Sequence, residues 1–574
     1  MRRVDKRLSR EPFMRLVFGR VQQMYKASSY ASVRIRLLRT NHPSCATFTA
    51  FLVWVLKFVA LFLSQKGGKS MGFMDNVQQE LNGKWNRSRT DNGALVHRTS
   101  THPLLDMNFS VSSLRSASED EICRMFWLAV NDDPKHALKW LFFARDVRGG
   151  LGERRLFRTV MQHMVASDPD LIHALIPLVP EYGRWDDLWC LLDTDARDDV
   201  VKFTAKQFKT DLEALKSGAS VSLLGKWLPS ANTSSSKTRR YANMLCSEIG
   251  MTPRMYRKAL SALREKIRVT ERLMSANKWD EIEYEHVPSR ANLLYGNAFL
   301  RHDESRRRKF LQDVKDGKKD IHASVLYPHD IVNRYNSSIY RNDDTLEALW
   351  KALPDTVQGN GSTLCVADGS GSMSTRVSLD SSVTCLDVAN ALAIYFAERC
   401  AGEFRNTYIT FSHRPRIVRF KENSSLREKI IAARANCECA NTNIEAVFYL
   451  ILSTAVNNKM PQEDLPKTVL VLSDMQFDGA TCGAKPNQTL FESISERYKA
   501  NGYTMPRLVF WNINGRPDTI PVIQNEAGVA LVSGFSVNVV DMVLSGKLDP
   551  YECLLEKLDS NRYDAVEEAI GGRL

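Results

Sequence analysis

Two apolar runs that each end at an aspartate constrain this chain more than any other feature. Residues 364–367 (LCVA) have the length and bulk of a strand buried on both faces, and Asp368 follows them into the turn Gly369-Ser370-Gly371-Ser372. Residues 468–472 (TVLVL) form a second such run and lead into Ser473-Asp474. Buried strands that deliver acids at their carboxyl ends predict a doubly wound, Rossmann-like α/β sheet, in which ligands bind at the topological switch point. The glycines let the backbone turn sharply and bring the Ser370 and Ser372 hydroxyls to the side of Asp368. A further hydroxyl, Thr442, stands in Asn441-Thr442-Asn443, just before an apolar helical stretch with Ile444, Val447, Phe448 and Ile451. Carboxylates and hydroxyls are hard oxygen ligands of the kind that Mg²⁺ or Mn²⁺ takes.

In this order, Asp368, Ser370, Ser372, Thr442 and Asp474 resemble the metal-ion-dependent adhesion site (MIDAS) of the von Willebrand factor A domain. The resemblance implies a cation held directly by hydroxyls and partly through water by the aspartates. One coordination position is then left for a partner's carboxylate or phosphate. The competing reading is an A domain whose motif survives only as turn and helix-cap chemistry. Asp478, close to Asp474, reads either as a support behind the metal ligands or, the favoured reading, as a helix cap. The flanking pattern fits the fold: strands over 406–412, 417–420 (an edge), 507–513 and 528–533, and helices over 386–400, 443–453, 491–500, 537–545 and 550–558.

The first half of the chain reads differently. From Ser118 to about residue 320, cap signals and 3.6-residue apolar spacing recur without strand signals, which predicts an α-helical repeat module of solenoid type. Residues 201–320 hold 25 Lys/Arg against 14 Asp/Glu. Lys237, Arg239, Arg240, Arg254, Arg257, Lys258, Arg264, Arg301, His302 and Arg306 are interleaved with rings such as Trp227, Tyr241, Tyr256, Trp279 and Tyr284. Basic helices with stackable rings suit single-stranded RNA or RNA ends, although a solvated helix face gives the same charge pattern.

The stretches RDVRGGLGERRLFR (145–158), PEYGRWDDLW (180–189), KWLPS (226–230), GMTPRMYRKALSALR (250–264), ERLMSANKWDEIEYEHVPSRA (271–291) and FLRHDE (299–304) resemble, in the same order, the helical module of TROVE (Ro-like) proteins. They resemble more closely still the family named as a domain of unknown function, DUF2828, which also couples such helices to a C-terminal A domain. The TROVE resemblance implies a ring-like helical module, RNA binding and a ribonucleoprotein. A protein-interaction adaptor, gripping an acidic partner residue through the metal and binding no RNA, is the other reading.

The chain divides into an N-terminal extension (1–70), an irregular lead-in (71–117), the helical module (118–355) and the α/β module (356–574). Its net charge of +12 is confined to residues 1–70, which hold 14 Lys/Arg and 2 Asp/Glu; the remainder is balanced. Residues 46–63 are apolar apart from Thr47, Thr49 and Lys57. They read as a single membrane span behind a basic tail, as a basic targeting arm, or as translated sequence upstream of a start at Met71. The scattered cysteines fit a reduced, cytoplasmic protein. No Walker A, dinucleotide fingerprint, His-Glu-x-x-His or nucleophile elbow is present, so a non-enzymatic role is expected.

Overall fold

Helices Glu119–Asp132, Pro134–Arg145, Arg155–Ser167 and Pro169–Leu175 open the helical module and pack on one another. Their starts follow from local chemistry. Asp133, Asp168 and Thr252 each accept a backbone N–H of the first turn (3.1, 2.9 and 3.3 Å), and each is followed by a proline whose missing N–H costs nothing there. Ser118 accepts from the Glu121 amide at 3.2 Å. The computed structural model describes Met74, Leu81 and residues 85–571, apart from 337–342, 358–361, 379–380, 480–488, 522–528 and 541–548. Both the basic stretch and the apolar run 46–63 lie outside the described residues, as does most of the helix expected over 537–545. Among the described residues no helix is long and apolar enough to cross a membrane.

Two of the sequence motifs turn out to be halves of one cluster. Arg145, at the end of Pro134–Arg145, pairs with the fully buried Asp187 at 2.6 Å, and Arg158 Nε donates to the other Asp187 oxygen at 2.8 Å. A Cβ on Gly183 would meet Asp187 Oδ2 at 2.6 Å and Arg145 Nε at 2.9 Å, so only glycine admits the pair. The 3.6-residue spacing expected of the module is not kept here: Trp185–Asp193 is a 3₁₀ stretch.

The α/β module is a six-stranded sheet of β3 (Thr363–Asp368), β4 (Thr407–Phe411), β5 (Arg416–Arg419), β6 (Thr468–Ser473), β7 (Arg507–Asn512) and β8 (Val529–Ser533). The order is β5-β4-β3-β6-β7-β8, parallel throughout except for the antiparallel edge strand β5. β3 is buried along its whole length and β6 nearly so, as their unbroken apolar runs require. From β3 the sheet grows outward through β4 and β5, then returns to β6 on the other side. The switch point therefore lies between β3 and β6, the two strands that end at Asp368 and Ser473-Asp474.

The lead-in differs from expectation. From Arg87 it is ordered as a hairpin of β1 (Arg87–Arg89) and β2 (Leu95–His97), joined through Asn92-Gly93, and the helices Pro103–Phe109 and Val111–Leu114. Helix Pro103–Phe109 is too short for its apolar period to register, but Leu104, Leu105, Met107 and Phe109 are all buried, and it packs on β8. The Asn512 side-chain amide donates to the Phe109 carbonyl at 2.8 Å, and the Ser112 hydroxyl donates to the Asn512 carbonyl at 3.0 Å. The sheet is thus completed by residues from the other end of the chain.

Candidate metal centre

Asp368 is the last residue of β3 and is buried. Its Oδ1 accepts from the Ser370 amide at 2.9 Å and its Oδ2 from the Ser473 hydroxyl at 2.5 Å. The Ser370 and Ser372 hydroxyls lie 3.1 Å apart. Two close approaches shape the turn. A Cβ on Gly369 would meet the Thr410 hydroxyl at 2.9 Å, and the Gly369 amide donates to the Phe411 carbonyl at the end of β4 at 2.8 Å.

The loop before helix Ile444–Asn457 docks on this turn through its backbone. The Cys439 amide donates to the Gly369 carbonyl at 2.9 Å, and the Gly371 amide donates to the Ala440 carbonyl at 3.0 Å. Thr442 follows, buried, and its carbonyl accepts from the Asp478 amide at 3.0 Å. The loop after β6 is thereby joined to the loop that carries Thr442. Asp478 takes part through its backbone. Two non-glycine residues flank the site in the left-handed region, Cys439 (φ 52°) and Met475 (φ 62°). Such backbones persist where surrounding contacts over-determine them, here the Met475 amide on Ser473 Oγ at 3.0 Å.

The electrostatics are those of two carboxylates sharing a buried site. Burial, then the Asp474 charge, pushes the Asp368 carboxyl up to about 7. Burial also raises Asp474, against the hydrogen bonds of the Ser372 side chain and the Gln476 amide; the Asp91 charge adds to the rise. No ion pair among the described residues reaches either carboxylate. Two acids brought together beside hydroxyls, with no Arg or Lys among the described residues to neutralise them, are a donor set that suits a hard divalent cation. Asp368, Ser370, Ser372, Thr442 and Asp474 are the residues that would hold it.

Sequence reasoning missed three contributors. Ser473 holds the second oxygen of Asp368. Asn92, at the hairpin tip, donates to Thr442 Oγ1 at 3.2 Å and to the Gln476 carbonyl at 2.7 Å. Gln476 Oε1 accepts from the Asp91 amide at 2.9 Å. Asn-Gly signals a tight hairpin turn, but nothing local states where such a hairpin docks.

The basic residues of the helical module do not act as one set. Arg254, Arg257 and Lys258 share one face of helix Pro253–Lys266 at i, i+3, i+4 spacing; they are exposed and without a hydrogen bond or ion pair among the described residues, as is Arg301. The others are committed within the fold. Lys237 and Arg240 pair with Asp193, and Arg239 donates to the Thr233 and Ser234 carbonyls. Arg264 was expected on an RNA face. Instead it is half-buried and donates to the Gly225 and Leu228 carbonyls, each at 3.0 Å, closing the end of the short helix Leu224–Trp227. Arg306 likewise donates to the Trp279 and Ile282 carbonyls, and His302 stacks on Trp279 with ring centroids 4.3 Å apart. The neighbouring Arg307 is buried among the rings of Tyr284, Phe299 and Phe310.

Residues 197–363 match the domain of unknown function DUF2828, and residues 362–569 match a second one, DUF7788. An uncharacterized protein of Acanthamoeba polyphaga mimivirus is 29% identical over 514 residues, covering 83% of this chain and 87% of that protein. The crystal structure of the Deinococcus radiodurans Ro (RSR) protein is similar at a TM-score of 0.42 and 14% identity, over 75% of this chain and 97% of that one. The chain therefore carries a DUF2828 domain followed directly by a DUF7788 domain, the one helical and the other built on the six-stranded sheet.

Proposed function

We propose that this protein is a non-catalytic, cytoplasmic RNA-binding scaffold whose α/β module docks a partner's carboxylate or phosphate through Mg²⁺ or Mn²⁺. The observation that carries the cation half is the meeting of the buried Asp368 and Asp474 carboxylates with the Ser370 and Ser372 hydroxyls at the switch point between β3 and β6. A divalent cation offsets the repulsion between the two acids, and its open position suits an anionic group. The RNA half is supported by the unpaired cations Arg254, Arg257 and Lys258 on one helix face and by the sequence motifs that resemble TROVE proteins. The internal commitment of Arg264 and Arg306 favours a second reading, in which the helices bind protein.

One experiment separates the two. RNA is crosslinked to the full chain and the contacts mapped, with and without Mg²⁺. Contacts on 254–258 support the scaffold reading. RNA contacts absent from the helical module, together with a Mg²⁺-dependent protein partner, establish the adaptor.

A further inference from the structure

The hairpin β1–β2 lies outside both matched domains, yet it is built into the rim of the cation centre. Thr90 Oγ1 donates to the Phe477 carbonyl at 2.6 Å. Asn92 accepts from the Gly479 amide at 3.1 Å while its own side chain donates to the Gln476 carbonyl and the Thr442 hydroxyl. At its other end, His97 exchanges both backbone hydrogen bonds with Ile520, at 2.8 and 2.9 Å, while at the tip, beside Asn92, Asp91 pairs with Arg516. The hairpin therefore clamps the loop after β6 to the loop after β7, both at the carboxyl edge of the sheet.

One of these contacts ends on a ligand atom. A threonine hydroxyl has one proton and two lone pairs. The Asn92 amide takes one lone pair of Thr442 Oγ1, which fixes the rotor and leaves the other lone pair for a cation. Partners that orient a metal ligand in this way change affinity by about 10–100-fold when removed. Any such coupling is reciprocal: what the docked hairpin contributes to cation affinity, the cation returns to hairpin docking.

We propose that Asn92 is a positioning residue of the cation centre and that cation binding and docking of the 87–97 hairpin are one linked equilibrium. This rests on the cation reading given above. The test uses the full chain with Mn²⁺ as the probe. Free Mn²⁺ is followed by electron paramagnetic resonance in the wild type, in Asn92→Ala and in Arg89→Ala; among the described residues the Arg89 side chain bonds within the hairpin, to the Gly93 carbonyl. Amide exchange of peptides over 87–97 is followed with and without Mn²⁺.

The expected result is affinity weakened about tenfold in Asn92→Ala and little changed in Arg89→Ala. In the wild type, Mn²⁺ should slow exchange over 87–97, a response that a purely structural contact would not give. Equal affinity in Asn92→Ala, or exchange over 87–97 indifferent to Mn²⁺ in the wild type, overturns the proposal while leaving the cation centre intact. A wild-type chain that binds no Mn²⁺ overturns the cation reading itself.

Discussion

The Asp146 carboxylate, fully buried at the end of helix Pro134–Arg145, accepts from the Tyr563 hydroxyl at 3.1 Å and from the Arg562 guanidinium at 2.6 Å, residues more than 400 positions further along the chain. The Tyr182 hydroxyl donates to the Arg562 carbonyl at 2.6 Å, and the Tyr182 and Tyr563 rings stack 5.6 Å apart. The last helices are thereby fastened to the first. Asp146→Ala leaves the Tyr563 hydroxyl and the half-buried guanidinium without their acceptor. A loss of about 3 kcal/mol is expected, read as a lower urea midpoint, with near-wild-type stability in a triple variant that also replaces Arg562 and Tyr563 by apolar residues as the control.

Removing Asp368 should separate cation response from folding. Asp368→Ala is expected to abolish the rise in thermal midpoint that Mg²⁺ gives the wild type, while the metal-free variant unfolds no earlier than the metal-free wild type, because the substitution also removes a buried repulsion. Differential scanning calorimetry with and without Mg²⁺ measures both quantities. A wild-type midpoint indifferent to Mg²⁺ would refute the cation centre.

Within the helical module, two kinds of arginine should fail differently. Reversing Arg254, Arg257 and Lys258 to glutamate is expected to weaken RNA binding and flatten its salt dependence by about three charges, with the thermal midpoint little moved. Arg264→Ala instead removes donors from two backbone carbonyls and should cost about 2 kcal/mol of stability. Filter binding over a salt series and thermal scans of the same proteins distinguish the two.

His329 should make the fold acid-sensitive. It is buried against Tyr327 and edge-on to Phe535, at 5.4 and 5.1 Å, so it bridges the helical module and the segment after β8. Burial lowers its pKa from 6.5 to about 4, with Asp330 and Asp387 acting to raise it and Arg115 and Arg290 to lower it further. The folded state therefore binds fewer protons than the unfolded one. Its contribution, about 3 kcal/mol at full size, is complete above about pH 6.5 and is lost as the pH falls towards about 4. Denaturant titrations across that window should show the slope in the wild type and lose it in His329→Phe.

How much of this was legible in the sequence depends on how local each cause is. Asp368 and Asp474 were legible because an apolar run buried on both faces admits few structures, and the residue at its end must emerge at the sheet's edge. The helix starts were legible for the same reason, since a cap and the proline after it act within one turn. Arg264 was not: whether its guanidinium meets solvent or the carbonyls of Gly225 and Leu228 is decided by packing between helices distant in sequence. Asn92 was not either, since its partner Thr442 lies 350 positions away. The helix Pro103–Phe109 escaped notice because two turns carry too few residues to show a period.

The contacts of Phe109 and Ser112 with Asn512 and Ser533 have a practical meaning for anyone dividing this chain. A fragment begun at the apparent border near residue 356 would strip helix Pro103–Phe109 from the outermost parallel strand and leave the Asn512 amide with nothing to donate to. The α/β half is a two-piece object whose smaller piece is stored at the far side of the helical region. Dissection by sequence borders would yield an unfinished sheet; supplying residues 85–114 as a separate peptide is the way to make it whole.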